Sequence, residues 1–366
     1  MKLDLNISGL CEDIQQSRFA RAFIRAQRRE AVRQYVGHHW SEEGSPDKVP
    51  VNLIALFVNI FGRSLVAQNP RAMLSTFVKK FKPVVNAMEQ AINDRIEHIR
   101  LAETLQRIVV DALFNVGIAK VAIATPSDAA MRMWNLQAGE AFVEPVDEDD
   151  FVCDSHARRF EELAWVGHKY RVPLDTVKSD SNYSSYRHKL IPTDDLPSDA
   201  VGEEKISMLG RTYTGGVRQE WIKYVDLWEI YDARRRLVLT LPDSQGLPQN
   251  ELLRKQRWIG PDQGPYHFLG MMLVPGNLNP KAPIQDLLDL NEAVNSCYRK
   301  LIRTIERVKE ITFVTGGALE DGTRVMHADD GEIVRVDRPD EIRQIVSGGT
   351  AIPQIAAMAT ALKDLF

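Results

Sequence analysis

The 366-residue sequence is short of cysteine and of long apolar runs. Its three cysteines, Cys11, Cys153 and Cys297, lie far apart and form no CxxC or CxxH pair, which argues against a disulfide framework and a structural zinc site. The most apolar stretch, residues 51–61, is well short of the ~20 residues that a bilayer-spanning helix needs. The amino terminus carries acids where a signal peptide needs a cationic start. We therefore expect no membrane contact and synthesis in a cytoplasmic setting.

The sequence also has no large excess of basic or acidic residues. The 46 lysines and arginines stand against 50 aspartates and glutamates, a formal net charge of −4. Because a protein that coats itself in nucleic acid normally has a large basic excess, any contact with DNA must be local. The sequence also lacks GxxxxGK[ST], GxGxxG, HExxH, GxSxG and an EF-hand loop. These absences disfavour an enzyme, and we expect neither a cofactor nor a bound metal.

Helical patterns fill the first third of the chain. Apolar residues at helical spacing among many arginines predict one amphipathic helix over residues 12–36. A second block, residues 51–117, is rich in helix formers and predicts two or three packed helices. Breaks are expected near Pro70 and Pro83, and Gly117 is expected to end the last helix.

Shorter β-type patterns follow. Residues 120–125 and 141–154 predict strands with connecting loops, and residues 221–241 predict a hairpin about a turn at Asp232. Between them, residues 179–216 are rich in Ser, Asp, Gly and Pro, which is typical of a flexible insertion. The mixture of separate helical and strand blocks predicts the α+β class.

The clearest element is a long helix that begins near Pro283 and spans about 37 Å. Two series spaced by seven residues and offset by three form one largely apolar seam. The seam consists of Ile284, Leu287, Asn291, Val294, Tyr298, Leu301, Ile305 and Val308. Acids lie early in this helix and bases late, which complements the helix dipole. Two strands around a polar loop are predicted next, at residues 311–317 and 331–339, and a final helix at residues 352–366.

Three charged groups have competing interpretations. The bases of the long helix, Arg299, Lys300, Arg303 and Arg307, form either a solvated face or, if the helix lines a channel, a patch that faces DNA. The arginines of residues 18–33 either bind phosphates or form salt bridges on an exposed helix, and the sequence favours neither interpretation over the other. The acids Asp147, Glu148, Asp149 and Asp150 read as a solvated turn rather than a metal site, because consecutive residues on an extended chain point to alternate sides.

Several segments, in order, carry a family resemblance. They are RREAVRQYVGHHW at 28–40, VPVNLIALFVNIFGRSLVAQNPRA at 49–72, DALFNVGIAKVAI at 111–123, residues 142–178 with Pro145, Asp147, Asp154 and Ala157, the long helix, and GEIVRVDRPDEI at 331–342. Together they resemble the portal proteins of tailed bacteriophages, which are ring-shaped connectors through which DNA enters and leaves the capsid.

The resemblance implies a portal fold within the α+β class. Residues 1–280 would form an α/β wing that carries the arginine-rich helix and the insertion at about 179–216. Residues 281–310 would form the stem helix, 311–345 a small α/β clip, and 346–366 a helix that returns toward the wing and channel. The crown that follows in many portals is expected to be absent.

The resemblance also implies a function. The chain would form a dodecameric ring at one capsid vertex, where neighbouring stem helices pack through the seam and Asn291 fixes their register. Double-stranded DNA would pass during packaging and ejection, with Arg299, Lys300, Arg303 and Arg307 as weak guides. The implied partners are the terminase large subunit, a head-tail adaptor, and the major capsid and scaffolding proteins. The implied location is the virion, with assembly in the host cytoplasm.

One alternative from another class stays open. Asp147, Asp149, Asp150 and Asp154 form a carboxylate cluster of the kind that holds divalent cations in metal-dependent nucleases and phosphotransferases. Cleavage of DNA that depends on magnesium or manganese and disappears in Asp150→Ala is the expected signature of that alternative.

Overall fold

A computed structural model describes most of the chain as a mixed α+β protein. The described residues are 6–37, 51–124, 136–193, 222–243, 252–307, 309–314, 319–327, 335–337, 340, 342–347 and 352–365. The chain divides into two compact units, Met1–Glu42 with Ile54–Asp286 and Glu43–Leu53 with Leu287–Phe366. Among the described residues, no helix is both long and apolar enough to span a bilayer.

The amino-terminal arginines lie on two helices, where the sequence predicted one. Helix α1 runs from Ile7 to Ala20 and α2 from Ala22 to Val36, with Arg21 between them. The Asn6 side chain accepts a hydrogen bond from the Gly9 amide and so caps α1. Helix α2 ends at Gly37, whose positive φ of 77° suits a residue without a Cβ.

Three helices fill the next block, as predicted. They are α3, Leu53–Leu65; α4, Lys82–His98; and α5, Leu101–Phe114. The break near Pro70 falls within residues 66–78, which contain neither helix nor strand. Pro83 does not end a helix but lies in the first turn of α4, where its missing N–H costs nothing.

Gly117 was expected to end α5, but the helix ends three residues earlier and Gly117 lies inside a strand. A Cβ atom at this position would lie 2.2 Å from the Ile108 carbonyl oxygen. The glycine therefore permits the close approach of α5 to the strand that follows it.

Among the described residues of the first unit, the strands form two antiparallel sheets. Strands β1, Val116–Ile123; β2, Ala141–Val146; and β8, Tyr266–Gly270 form a sheet in the order β2-β1-β8. Strands β3, Phe151–Cys153; β4, Trp165–Pro173; β5, Tyr224–Asp232; β6, Leu237–Pro242; and β7, Arg254–Arg257 form the second sheet in sequence order. The predicted hairpin is confirmed as β5 and β6, which pair from Asp232↔Leu237 to Leu227↔Pro242.

Part of the predicted insertion is packed rather than mobile. After the short helix α6, Leu174–Ser179, the side chains of Tyr183, Tyr186 and Leu190 are buried against Leu227. Their aromatic and aliphatic surface outweighs the polar composition around them. Residues 194–216 of that prediction lie outside the described part of the chain.

The predicted long helix is confirmed as α7, Gln285–Arg307, and its residues from Leu287 onward belong to the second unit. That unit continues with β9, Lys309–Val314; helix α8, Leu319–His327; β10, Ile342–Ser347; and helix α9, Ile352–Leu365. Strand β9 pairs with β10 from Ile342↔Val314 to Ser347↔Lys309. The predicted partner strand at 331–339 lies mostly outside the described residues, and α8 forms where a polar loop was expected.

Candidate nucleic-acid interface

The candidate DNA-facing cations lie on the last two turns of α7. Arg299, Arg303 and Arg307 are four residues apart and therefore share one helix face. Lys300 and Arg303 are exposed. Arg299 is half-buried, and its guanidinium donates to the Asn295 carbonyl oxygen and the Ser296 hydroxyl, each at 3.3 Å. Arg307 lies in the helix, but its side chain is outside the description.

The apolar seam of α7 changes character along the helix. Its first half is buried inside the single chain, with Ile284 and Val294 at 0% exposure and Asn291 at 1%. Leu287, Tyr298 and Leu301 are half-buried, and Ile305 is 52% exposed. Val308 is outside the described residues. The apolar surface that remains open to a neighbouring molecule is therefore concentrated in the second half of the seam.

Asn291 has a partner within its own chain. Its Oδ1 accepts from the Leu53 amide at 3.3 Å. The neighbouring Asn295 accepts from the Val51 amide at 2.8 Å and donates to the Val51 carbonyl at 3.1 Å. Two buried asparagines on consecutive turns thus satisfy the backbone of residues 51–53, and this local role accounts for a polar residue inside the seam. Asn295 was not singled out from the sequence, because it lies outside the heptad series.

The amino-terminal arginines point into the protein instead of covering an exposed helix. Arg21 is 4% exposed, and its guanidinium binds Glu148 Oε1 at 2.9 Å and Asn279 Oδ1 at 2.8 Å. Glu148 is completely buried and also accepts from the Asn115 amide group. Arg25 donates to the Phe151 carbonyl at 2.9 Å. The salt-bridge interpretation therefore holds for Arg21, whereas Arg25 is held by a backbone acceptor.

Arg28 extends the same network to the acidic turn. It bridges Asp111 at 2.9 Å and Asp147 at 2.7 Å, with Asp149 at 3.8 Å. Burial alone would lower the pKa of Arg28, but the surrounding carboxylates raise it above its ordinary value. Burial raises the pKa of Asp111 to about 6, with the Arg28 charge acting in the opposite direction. The acidic turn thus supplies counter-ions for arginine, with Glu148 buried and Asp147 still exposed to solvent as predicted.

A third buried ionic cluster joins the two sheets. Lys120 on β1 binds Glu144 on β2 at 2.9 Å and Glu229 on β5 at 3.0 Å. Beside it, His168 Nδ1 lies 2.7 Å from the Tyr266 hydroxyl. Burial, reinforced by the Lys120 charge, lowers the pKa of His168 to about 3, so this imidazole is neutral near pH 7.

The pKa directions of the potential nucleophiles are opposite to those of activated groups. Burial raises the pKa of the Cys11 and Cys153 thiols and of the Tyr266 and Tyr170 hydroxyls. A nucleophile in a catalytic site normally has a lowered pKa or an adjacent base. Within the described ranges, no group of three or more His, Cys, Asp or Glu side chains is placed to hold a metal ion.

No family model matches the sequence, and no curated protein matches it significantly.

Proposed function

We propose that this chain is a subunit of a bacteriophage portal, a dodecameric ring at one capsid vertex through which double-stranded DNA is packaged and ejected. The observation that carries the proposal is the division of α7. Its first half is buried in its own chain, whereas its second half presents apolar residues on one face and cations on another. A long helix with these two exposed faces suits a subunit that packs against a copy of itself and borders a polyanion.

The apolar face of this second half is the proposed contact between stem helices. Tyr298, Leu301 and Ile305 continue the heptad spacing beyond the buried residues. In a closed ring each helix meets a neighbour on either side, so a seam that is incomplete in one chain is completed by the next. The partial exposure of Leu301 and the 52% exposure of Ile305 agree with this arrangement.

The proposed mechanism is passive guidance of DNA. The exposed cations Lys300 and Arg303 would make weak contacts with passing phosphates, together with Arg299 and Arg307. Tight phosphate binding would stall translocation, and a chain with a net charge of −4 offers few such contacts. The motor activity would belong to the terminase, while an adaptor and the capsid and scaffolding proteins would contact the ring from outside.

Electron microscopy of the purified full chain tests this function. We expect closed rings with a central hole, and we expect Leu301→Asp to block them because it places a charge in an apolar contact. Arg303→Asp is the matched control, since it places the same charge on the cationic face and should leave rings intact. A wild-type protein that stays monomeric at high concentration would contradict the proposal.

The nuclease alternative stays a prediction, and no specific contact favours it. Asp147 and Asp149 lie beside Arg28, and Asp147 also caps the turn through the Asp149 amide. A magnesium or manganese ion would compete with an arginine that already neutralises these carboxylates. Incubation of the protein with DNA and either metal, compared with Asp150→Ala, separates this alternative from the portal proposal.

A further inference from the structure

The segment between α3 and α4 is held along one edge by side chains of α4. Asn93 accepts from the Ala72 amide at 2.8 Å and donates to the Ala72 carbonyl at 3.1 Å. One helical turn earlier, Glu89 accepts from the Leu74 amide at 3.0 Å. Two helix side chains thus take the place that a neighbouring strand has in a sheet.

The spacing of these contacts indicates extended backbone. Four residues along a helix rise about 6 Å, and two residues of a strand cover about 6.6 Å, so Glu89 and Asn93 match alternate residues of an extended chain. In such a chain the amides of Met73 and Ser75 point to the opposite edge, before the chain bends at Phe77. Within the described part of the structure, these two amides have no hydrogen-bond partner.

The sequence of this edge lacks the usual protection against strand pairing. Exposed edges normally carry charges, prolines or bulges. Residues 72–78, AMLSTFV, contain no charged residue, proline or glycine, and they combine β-branched, aromatic and aliphatic side chains. Charges appear only outside the segment, at Arg71 and Lys79. This composition is typical of a segment that pairs with another strand.

A large apolar surface surrounds the open edge. Met73 is 88% exposed and Phe77 fully exposed. Further exposed apolar side chains in this segment and in the residues up to and along α4 are Leu74, Val78, Phe81, Val84, Met88 and Ile92. At about 150–250 Å² for a large side chain, these exposures amount to on the order of 900 Å². A monomer rarely shows an apolar patch above roughly 600 Å², and a specific interface takes about 800 Å² from each partner.

We propose that residues 72–78 dock a second copy of this chain by strand addition, with the exposed face of α4 as the apolar part of the same interface. The area available is what a stable contact between subunits needs. The inference deepens the proposed ring and rests on it for the head-to-tail arrangement, in which each copy offers two different surfaces.

The chain also carries a surface that fits the docking segment. Strand β8 is the last strand of its sheet in the order β2-β1-β8 among the described residues. Exposed apolar side chains continue from it, at Leu269, Met272, Leu273 and Val274. An open strand edge followed by apolar side chains is what residues 72–78 of a neighbouring copy would require. We therefore assign the β8 edge as the acceptor.

A proline substitution tests the strand addition directly. Ser75→Pro removes one outward N–H but leaves Met73 and Phe77 in place, whereas Ser75→Ala keeps the N–H and is the matched control. We expect Ser75→Pro to raise the concentration at which assemblies dissociate by about tenfold or more and Ser75→Ala to leave it unchanged. Analytical ultracentrifugation and native mass spectrometry measure this, with circular dichroism to verify folding.

A second variant, Met73→Ser with Phe77→Ser, removes the apolar part and should also weaken assembly. Normal rings from both variants would overturn this inference and leave the portal proposal standing. Assemblies that lack a central hole but dissociate in Ser75→Pro would support the docking segment and overturn the portal proposal. A monomeric wild-type protein would overturn both.

Discussion

Two arginine-rich regions of this chain have opposite structural roles. The region at α1 and α2 places Arg21 and Arg28 inside the protein, where carboxylates neutralise them. The second half of α7 leaves Lys300 and Arg303 exposed, and neither forms an ion pair within the described residues. Basic residues therefore form buried ion pairs in the first region and are exposed to solvent in the second.

The difference lies in the acids that tertiary structure brings to each region. Asp111 at the end of α5 and the turn of Asp147 and Glu148 converge on the arginines of α1 and α2 from more than 80 residues away. Burying a charge is costly unless a counter-ion and hydrogen bonds accompany it. A cluster of cations in a sequence is thus a candidate ligand surface only where distant acids do not neutralise it.

The largest expected effect is the loss of a buried cation. Arg21→Ala leaves Glu148, with 0% exposure, without its charged partner. We expect the free energy of unfolding to fall by about 3–5 kcal/mol, because an uncompensated charge stays buried. Urea titration followed by circular dichroism measures it.

The matched control is Arg303→Ala on the exposed face of α7, which should change stability by less than about 0.5 kcal/mol. Equal effects of Arg21→Ala and Arg303→Ala on stability would contradict the claim that the buried cations hold the fold together and the exposed cations do not. The double variant Arg21→Met with Glu148→Met should recover much of the loss, since no charge is then left unpaired.

Acid should destabilise the protein through His168, the neutral group beside the buried Lys120. Its pKa is about 3 in the folded chain and roughly 6.5 when unfolded, so between these values the unfolded state binds more protons. The free energy of unfolding should therefore fall as the pH is lowered from 6.5 toward 3, by roughly 3 kcal/mol at pH 4 from this group. Denaturant titrations at pH 7, 5.5 and 4 measure the slope.

His168→Gln separates this group from others, because it removes the titration and keeps hydrogen-bonding capacity toward Tyr266. The pKa of Asp111, raised to about 6, acts in the opposite direction, since its contribution to stability is lost as the pH rises from about 4 to 6. Asp111 is present in both proteins, so its contribution disappears when the free energy of unfolding of the variant is subtracted from that of the wild type at each pH. An identical pH slope in the two proteins would show that His168 is not the acid-sensitive group.

Among the buried ionic groups, we expect the smallest effect on stability from Arg28→Lys. The planar guanidinium reaches Asp111 and Asp147 together, and a single ammonium cannot reproduce both contacts. We expect a loss of about 1–2 kcal/mol, smaller than at Arg21 because a positive charge remains. Arg33→Lys, also on α2, is the control for the general effect of exchanging arginine for lysine, and thermal unfolding compares the two variants. If Arg28→Lys lowered the free energy of unfolding as much as Arg21→Ala does, the contribution of Arg28 to stability would come mainly from its two-pronged contact and not from its charge.

Local periodicity was enough to predict some of the fold. The heptad spacing gave α7, and β-type residues about Asp232 gave the hairpin of β5 and β6. These elements are regular, and their signal lies within neighbouring residues. The packing of Tyr183 and Tyr186 was missed because their polar surroundings hid a buried contact made with a distant strand.

The candidate site was predictable only in part. The late cations of α7 are visible as a run, and exposure of Lys300 and Arg303 follows from their position on the polar face. The pairing of Arg21 with Glu148 joins residues 127 positions apart, and no local pattern contains it. Asn295 was also missed, because it lies outside the heptad series and its partner at Val51 lies 244 positions away.

The contribution of α7 cations to DNA contact is the central claim, and the salt dependence of binding tests it most directly. The logarithm of the binding constant for a short DNA duplex is measured against the logarithm of salt concentration for wild type and for Lys300→Gln with Arg303→Gln. We predict that the variant lowers the slope by about 1 or more, since each lost phosphate contact removes about 0.9. The control pair Lys255→Gln with Arg257→Gln, on exposed positions of β7, should leave the slope unchanged. An unchanged slope in the α7 variant, or an equal fall in the control, would contradict the account.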